Sequence, residues 1–205
     1  MVDAIMRGGN MAIRPIYIST NIPEKPFIKK DIEFVWIKGM SKQQKCKRRD
    51  SLHLSISKKY DINKVLEVST KSNIDLGVKL SAYNLTVKFP SGKEIIVEDV
   101  YQDGKVYDEF GKIVEFKYGN VVFEKDPFGM YYDYIYMLGL YCHKEYHEEL
   151  SKYDIFTDIE FNPNKSLNTQ ARAAAIWNTL YRNNMIDIIA SRDEFKRYYK
   201  TTFTK

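Results

Sequence analysis

The alternation of apolar and polar residues changes its period along the chain, and the first two thirds favour short strands. Residues 14–30 contain three prolines and are expected to run extended over the surface before IEFVWI forms a strand. KVLEVST has the pattern of another strand. Two longer stretches predict hairpins, LTVKFPSGKEIIVED with a turn at Pro90-Ser91-Gly92 and IVEFKYGNVVFE with a turn at Gly119-Asn120.

Helical periodicity appears once near residue 45 and dominates the last third. SKQQ has capping-box spacing and predicts a helix over residues 41–59. Apolar residues recur at helical spacing over residues 130–153, and their wide face predicts a largely buried helix. TQARAAAIWNTLYRNN is a second strong helix, and SRDE at 191–194 caps a third. Strands followed by helices, without strand–helix–strand alternation, predict the α+β class.

Length and composition fit one compact domain over residues 11–205, because 44% of the 205 residues are hydrophobic. Residues 1–10 are expected to be a disordered extension or to precede a start at Met11. The chain has no apolar run of the roughly 18 residues that a membrane span needs and no secretory signal, so a cytoplasmic protein without membrane contact is expected. Cys46 and Cys142 belong to no metal-binding motif and are expected to be reduced.

The stretch VEDVYQDGKVY is compatible with two local structures. Asp103-Gly104 between short apolar arms is typical of a hairpin turn. Glu98, Gln102 and Lys105 also recur at i, i+4 and i+7, which on a helix forms one polar stripe. In either structure the three side chains share a face, so a polar cluster is predicted here.

Two other stretches are richer in polar residues than a surface loop requires. In STKSNIDLGVKLSAYNL, polar side chains adjoin an apolar strand context at Lys71, Ser81, Tyr83 and Asn84. FTDIEFNPNKSLNTQAR leads into the alanine-rich helix and carries a second group, Asp158, Glu160, Asn162, Asn168, Gln170 and Arg172. The free N–H groups of a helix start and a ring of amides suit a phosphate or sugar ligand. The alternative is ordinary turn chemistry, with N-capping by Ser166 or Asn168.

Charge adds one more candidate surface. The formal charge of +5 is concentrated in SKQQKCKRRD and the following KKY, which form either a nucleic-acid contact or a solvated helix face. His143 and His147 have metal-ligand spacing, but HKEYHEEL is charged throughout and offers no evident third ligand. The pair is therefore expected at the solvent-facing end of a helix, without a metal. The chain has no Gly-rich phosphate loop and no GxSxG motif, which argues against nucleoside-triphosphate and serine-hydrolase chemistry.

VEDVYQDGKVY resembles the signature of the NADAR family, in which a Val-Glu pair is followed by an aromatic-Gln pair and a Lys on a helix. LSAYNL resembles the family's Phe-Ser-Asn-Phe element, and IEFNP resembles its Val-Glu-x-x-Pro element. Together with FVWIKGMSKQQKCK and SLH, these stretches are similar to one branch, the NADAR antitoxins encoded with DarT-type DNA ADP-ribosyltransferases. Asp103-Gly104 stands where that branch usually has Gly-Ser, and the Trp-Gly motif of the wider family is absent.

The resemblance implies an enzyme that removes ADP-ribose from guanine in DNA by cleaving a C–N glycosidic bond, without a metal or other cofactor. Its partners are ADP-ribosylated DNA and, as a possibility, a DarT-type toxin. Cleavage builds positive charge on the anomeric carbon, which calls for a nearby carboxylate and a proton source for the base. Glu98 is the expected carboxylate. In an alternative route, Lys71 or Lys105 captures the opened ribose as a Schiff base.

The same resemblance suggests binding roles. Glu160 and Asn162 are expected to hold ribose hydroxyls, and Ser81, Asn84 and Arg172 to face the diphosphate. The other expected substrate-binding residues are Trp36, Lys45, Tyr83, Gln102, Asp158, Asn168 and Gln170. Trp36 either stacks on a base or packs in the core. The basic residues expected to hold the DNA backbone are Lys42, Lys45, Lys47, Arg48 and Arg49.

Two rival functions remain at this point. One is a non-catalytic module that binds the modified nucleotide or the toxin. The other is an N-glycosidase that acts on a small molecule, as in riboflavin-related metabolism.

Overall fold

The computed structural model describes residues 10–125, 128–162 and 169–203, which together form nine strands in three sheets and seven α-helices. The strands are β1 (Asn10–Ser19), β2 (Phe27–Trp36), β3 (Val65–Glu67), β4 (Thr86–Lys88), β5 (Glu94–Ile96), β6 (Lys105–Tyr107), β7 (Ile113–Tyr118), β8 (Val121–Glu124) and β9 (Ile155–Thr157). The helices are α1 (Lys42–Ser57), α2 (Asp75–Lys79), α3 (Val97–Asp103), α4 (Met130–Cys142), α5 (His147–Leu150), α6 (Gln170–Arg182) and α7 (Arg192–Phe203). The α+β class is confirmed.

The largest sheet has the strand order β2-β1-β9-β3. β1 is antiparallel to β2 and β9, whereas β3 runs parallel to β9. All residues of the parallel pair are buried, including the polar Glu67 and Thr157 at the strand ends. Both strands end in the same direction, so the residues that follow them meet at one edge of the sheet.

The predicted surface run over residues 14–30 is wrong in its first part, because residues 10–19 form β1 inside the largest sheet. Ile16 and Tyr17 are buried. Pro15 is tolerated because β1 pairs with β9 only from Tyr17 onward, which leaves that side of the strand without a ladder partner at the proline.

Both predicted hairpins are confirmed. β4 pairs with β5 around Gly92, and β7 pairs with β8 around Gly119. Each glycine has a positive φ, +80° at Gly92 and +57° at Gly119, a conformation that residues with a Cβ rarely adopt. The predicted cap of α1 is also confirmed, since the Ser41 hydroxyl accepts a hydrogen bond from the Gln44 backbone N–H at 3.2 Å.

The core lies between α4 and α6, which pack against each other and against the sheets. The alanines of α6 are completely buried, and Ser191 caps α7 as predicted. The predicted helix over residues 130–153 is interrupted, because the backbone at His143 (φ −117°, ψ 71°) leaves the helical region. A 3-10 turn and α5 follow.

The expected solvent-facing position of the two histidines is wrong, because both are buried. The His143 ring lies 3.0 Å from the Thr86 hydroxyl and 2.8 Å from the Glu145 carboxylate. The His147 Nε2 lies 2.7 Å from the Leu140 carbonyl oxygen. Each histidine therefore has its own polar partners within the fold.

The expected extension, residues 1–10, lies outside the described residues except for Asn10, which begins β1. Both cysteines are free thiols, as expected. In the parts of the chain that the structure describes, every helix is too short or too polar to cross a bilayer.

Candidate active site

One open cavity of about 470 Å³ brings together stretches that are far apart in the sequence. This volume lies within the roughly 300–1,000 Å³ that small-molecule sites occupy. The first wall is α3 with Lys105, the first residue of β6, and the second wall is the segment after β9 with the start of α6. The lining residues are Ala82, Tyr83, Glu98, Tyr101, Gln102, Lys105, Tyr132, Asp158, Glu160, Phe161, Asn162, Thr169 and Gln170.

The first wall carries the predicted polar cluster. α3 is anchored by buried Val97 and Val100, so its opposite face points outward. The Gln102 side-chain amide donates to Glu98 Oε1 at 2.5 Å, and Lys105 Nζ donates to Gln102 Oε1 at 2.5 Å. Glu98 and Gln102 share a helical face, as predicted, whereas Lys105 lies just beyond the helix as the first residue of β6.

Gly104 explains why the hairpin pattern at Asp103-Gly104 is misleading. The residue has φ −75° and ends α3, so it does not adopt the positive φ of a tight hairpin turn. A Cβ on Gly104 would lie 1.9 Å from the Tyr131 hydroxyl oxygen and 2.7 Å from the Lys117 carbonyl oxygen. Glycine is therefore needed for close packing at this position between α3 and β6.

Aromatic side chains complete the first wall. The Lys105 ammonium lies 4.7 Å from the centre of the Tyr101 ring, within cation–π distance. Tyr101 meets the buried ring of Tyr132 edge to face, with ring centres 5.1 Å apart. Packed aromatic rings therefore lie beneath the exposed polar groups of this wall.

The second wall is built around Asp158, which follows β9 and is buried. Its Oδ1 accepts the backbone N–H groups of Glu160 at 3.1 Å and Phe161 at 3.2 Å. Its Oδ2 lies 3.2 Å from the hydroxyl of Thr169, the N-cap of α6. The Gln170 side chain also hydrogen bonds to Asp158, and its own Oε1 accepts the Ala82 N–H at 2.6 Å. These contacts join the turn after β9 to the start of α6.

Glu160 is held in the same wall by two lysines. Its Oε1 lies 2.9 Å from Lys45 Nζ, and its Oε2 lies 3.3 Å from Lys71 Nζ and 2.8 Å from the Thr70 hydroxyl. Burial favours the neutral carboxyl, but the hydrogen bonds and the positive charges outweigh it and lower the pKa of Glu160. Glu160 is therefore an anchored carboxylate.

A second acid, Glu67, lies beneath Asp158 at the end of β3 and is 0% exposed. It accepts hydrogen bonds from the Ser69 hydroxyl at 2.5 Å, the Thr157 hydroxyl at 2.6 Å and the Ile159 N–H at 2.9 Å. Burial and the nearby charge of Glu67 raise the pKa of Asp158 to about 8. The pKa of Glu67 is also raised, by its own burial. The two acids share one buried region.

The basic helix differs from its prediction as a DNA-binding face. Arg48 and Arg49 are buried, and their guanidinium groups donate to backbone carbonyls, those of Ile37 and Gly39 for Arg48 and that of Lys71 for Arg49. Lys45 is paired with Glu160. Of the five basic residues, Lys42 and Lys47 are exposed. Lys45 therefore supports the second wall, whereas Arg48 and Arg49 stabilise neighbouring backbone segments.

Several other candidates lie outside the walls formed by the described residues. Trp36 packs at 4.1 Å from the Arg48 guanidinium and 5.1 Å from that of Arg14. Arg172 is buried, with Nη2 3.0 Å from the Asp133 carboxylate inside the core. Ser81 and Asn84 stabilise the turn that carries Tyr83, since Asn84 donates to Val78 O at 2.8 Å and Ser81 accepts two backbone N–H groups. Asn168, Ser166 and the other residues of 163–168 lie outside the described part of the chain, and Thr169 is the cap of α6.

The structure brings together Tyr83, Glu98, Gln102, Lys105, Asp158, Glu160, Asn162 and Gln170. Sequence reasoning missed five lining residues, Ala82, Tyr101, Tyr132, Phe161 and Thr169, as well as Glu67 behind the wall. The signal available for Glu67 was a carboxylate inside the apolar strand KVLEVST. A charge in a buried strand has a specific partner or a function.

Comparison with known families identifies one match. The family model described as NADAR-DarT1, DarT1-associated NADAR antitoxin, matches residues 12–111 and 108–205. No curated protein matches the chain.

Proposed function

The chain belongs to the DarT1-associated NADAR antitoxin family, and on that premise we propose that it is a glycohydrolase that removes ADP-ribose from guanine in DNA. This activity reverses the modification made by a DarT-type toxin. The modified DNA is then the substrate, and the toxin is the second partner that family membership suggests.

The observation that carries the proposal is the meeting of two carboxylate-bearing walls across one open cavity. Glu98 comes from α3, and Asp158 and Glu160 come from the turn after β9. Hydrolysis of a glycosidic bond uses carboxyl groups on both sides of the bond, one near the anomeric carbon and one near the leaving group. A cavity with acids on a single wall would not meet this requirement.

Glu98 is the carboxylate that we place beside the anomeric carbon. As the C–N bond breaks, its electron pair leaves with guanine and positive charge builds on the ribose, which a carboxylate stabilises. Water then bonds to the anomeric carbon and gives a proton to Glu98. The Gln102 amide fixes the orientation of Glu98 through the 2.5 Å hydrogen bond.

A route through a lysine uses the same cavity. Lys105 lines the wall next to Gln102, whereas Lys71 is turned toward Glu160. In this route the Lys105 amine bonds to the anomeric carbon of the opened ribose as guanine leaves, and water later hydrolyses the resulting Schiff base. Lys105 is therefore the better placed of the two lysines.

Substrate contacts follow from the remaining lining groups. The anchored carboxylate of Glu160 and the amide of Asn162 suit ribose hydroxyls, because both can accept hydrogen bonds in a defined direction. Tyr83 is 57% exposed at the cavity rim, which makes its ring available for stacking on a base. Gln170 Oε1 accepts the Ala82 N–H, and this hydrogen bond stabilises the second wall.

The activity is tested with single-stranded DNA carrying ADP-ribosylated guanine. Wild-type protein should release free ADP-ribose, with and without EDTA. Glu98→Gln should lower the single-turnover rate by about 10²- to 10⁴-fold while binding the substrate as well as wild type. Asp99→Asn is the matched control, because Asp99 is an exposed carboxylate on the same helix.

Three outcomes separate the functions. No release by wild type, together with tight binding of the modified DNA, indicates a binding module and contradicts the proposal. Release from a free ADP-ribosylated nucleotide but not from DNA indicates a small-molecule N-glycosidase. Release from DNA with the expected loss in Glu98→Gln supports the glycohydrolase.

The two routes are distinguished by trapping. Reduction with sodium borohydride during turnover should fix ADP-ribose to Lys105 if a Schiff base forms, and Lys105→Arg should abolish the adduct. Lys112→Arg is the control, since Lys112 is exposed outside the cavity wall. Turnover without any adduct supports direct attack by water.

A further inference from the structure

The reaction needs a proton for the departing base, and the structure places a buried pair of acids where it can be supplied. We propose that Asp158 gives its carboxyl proton to guanine as the C–N bond breaks, and that Glu67 is the positioning residue that keeps this proton on Asp158. The inference rests on the proposed function, because it identifies the acid for that same reaction.

Glu67 is the ionised member of the pair. Its two oxygens accept three hydrogen bonds of 2.5, 2.6 and 2.9 Å from Ser69, Thr157 and Ile159. Hydrogen bonds to the charged form favour that form. A proton on either oxygen would have to displace one of these donors inside a site with no exposure to solvent.

His53 contacts the donor of one of these bonds. Its Nε2 lies 3.0 Å from the Thr157 hydroxyl oxygen. Burial lowers the pKa of His53 to about 4, so the ring is neutral at physiological pH. Because the Thr157 hydroxyl donates to Glu67, its oxygen accepts the Nε2–H of His53. The Thr157 hydroxyl thus directs its hydrogen toward Glu67 and stabilises the ionised form of that carboxylate.

The Gln170 side chain also donates to Asp158, but the other donors to Asp158 lie farther from it than those of Glu67 lie from Glu67, and so Asp158 retains the proton. Its hydrogen bonds to Glu160, Phe161 and Thr169 are 3.1 to 3.2 Å long. Two adjacent buried carboxyls do not both ionise near neutral pH, because desolvation and mutual repulsion oppose the second charge. Oδ1 accepts two backbone N–H groups, so the proton belongs on Oδ2, where it replaces the 3.2 Å hydrogen bond from the Thr169 hydroxyl. This acid lines the cavity, whereas Glu67 does not contact it.

Of the charged groups around the pair, Arg49 and Glu160 favour this assignment, whereas Arg14 favours the charged form of Asp158. Arg14 of β1 interacts electrostatically with Asp158, Arg49 of α1 interacts with Glu67, and Glu160 opposes ionisation of Asp158. The tyrosines that face Asp158 all have raised pKa values and stay neutral; they are Tyr17, Tyr83, Tyr132 and Tyr136. Asp158 is thus the group in this cluster that titrates near pH 8.

The proton balance gives the two cavity acids separate roles. Asp158 loses its proton to the guanine nitrogen that carries the electron pair of the broken bond. Glu98 takes a proton from the water whose oxygen bonds to the anomeric carbon. The cycle closes when the proton on Glu98 passes through solvent to Asp158. The net reaction consumes one water and releases guanine in DNA and ADP-ribose.

The first test varies the leaving group. Asp158→Asn should slow the release of guanine by about 10²- to 10⁴-fold, the usual contribution of a general acid. On an ADP-ribose conjugate of 4-nitrophenol, whose leaving oxygen needs no proton, the same variant should lose less than about tenfold. Asp154→Asn is the control, because Asp154 precedes β9 at its other end and pairs with Lys64 and Arg182 away from the cavity.

The second test follows the proton itself. Carboxyl ¹³C NMR of the full chain should show Asp158, assigned with Asp158→Asn, titrating near pH 8. The wild-type single-turnover rate should fall as the pH rises through the same range, because the acid is lost on ionisation. Glu67→Gln removes the neighbouring negative charge, so both midpoints should move to lower pH.

The outcomes distinguish this inference from the function on which it rests. If wild type releases no ADP-ribose, the proposed function fails and the role of Asp158 fails with it. If wild type turns over but Asp158→Asn loses equal activity on both leaving groups, the proton-donor role alone is overturned. Titration of Asp158 near its ordinary pKa, or an unchanged pH profile in Glu67→Gln, also overturns it. The pH profiles of wild type and Glu67→Gln do not need the Asp158 variant, so they keep the inference testable even if Asp158→Asn folds poorly.

Discussion

The two walls of the cavity present carboxylates in opposite ways. On the first wall, called here the α3 wall, Glu98 is partly exposed and accepts a local hydrogen bond from Gln102, one helical turn away. On the second wall, called here the β9 wall, Asp158 is buried with Glu67 beneath it, and both accept hydrogen bonds from groups distant in the chain. The first wall can change without affecting the core, whereas the second wall is part of the core. We therefore expect substitutions on the two walls to separate activity from stability.

The largest effect is expected at Glu67. Glu67→Ala leaves three buried donors, on Ser69, Thr157 and Ile159, without their acceptor. Each buried donor that loses its partner costs about 1–3 kcal/mol, so the free energy of unfolding should fall by roughly 3 kcal/mol or more. Urea denaturation measures this change.

Glu33→Ala is the control for that substitution, because Glu33 is exposed on strand β2. It should change the free energy of unfolding by less than about 0.5 kcal/mol. Equal stability of the Glu67 and Glu33 variants would mean that the β9 wall is not part of the core.

A smaller effect, on activity and not on stability, is expected at Gln102. Gln102→Ala removes the amide that connects Glu98 to Lys105, so both groups lose their fixed orientation. The single-turnover rate should fall by about tenfold, since misplaced catalytic groups lower the rate steeply. Because Gln102 is exposed, the melting temperature should stay within about 2 °C of wild type.

Asp99→Ala provides the matching exposed change on α3 and should retain the wild-type rate. A Gln102 variant that loses stability as well as activity would remove the distinction between the two walls.

The α3 wall was predictable because its contacts are local. The spacing of Glu98, Gln102 and Lys105 places them together in either backbone conformation. The turns at Gly92 and Gly119 were predictable for a similar reason, because glycine is the residue that most readily adopts a positive φ. The sequence pattern alone does not decide between a helix and a hairpin at Asp103-Gly104. A glycine required for close packing against Tyr131 cannot be distinguished in the sequence from a glycine required for a tight turn.

The β9 wall was only partly predictable because its chemistry depends on long-range pairing. FTDIEFNP indicated Asp158 and Glu160, but nothing in the sequence pairs β9 with β3, and that pairing brings Glu67 beneath Asp158. The partners of the basic side chains of α1 were equally unpredictable from the sequence. Residues 45, 48 and 49 appear as a basic run, yet their partners are a carboxylate and backbone carbonyls from residues 37–39, 71 and 160.

The smallest effect is expected outside both walls, on the remaining exposed charge of α1. Replacing Lys42 and Lys47 together by Gln should weaken action on long DNA only at low salt, and flatten the salt dependence by at most about two units of log–log slope. Hydrolysis of a mononucleotide substrate should remain at the wild-type rate.

The control removes the same charge from the other end of the basic region, by replacing Lys58 and Lys59, which are also exposed. If both double variants weaken DNA binding equally, the contact is a diffuse attraction. If mononucleotide hydrolysis also falls, Lys42 and Lys47 support the cavity.

If the protein acts on DNA as proposed, the inward direction of Arg48 and Arg49 affects how long it stays on unmodified sites. A genome offers on the order of 10⁶–10⁹ unmodified sites, and a strongly cationic face would keep the protein bound to them. Here two of the arginines are occupied by backbone carbonyls, so each encounter with an undamaged stretch is expected to be brief. Most molecules would then remain free to sample new sites, and the time to reach a rare lesion would be set by diffusion rather than by slow departure from intact DNA.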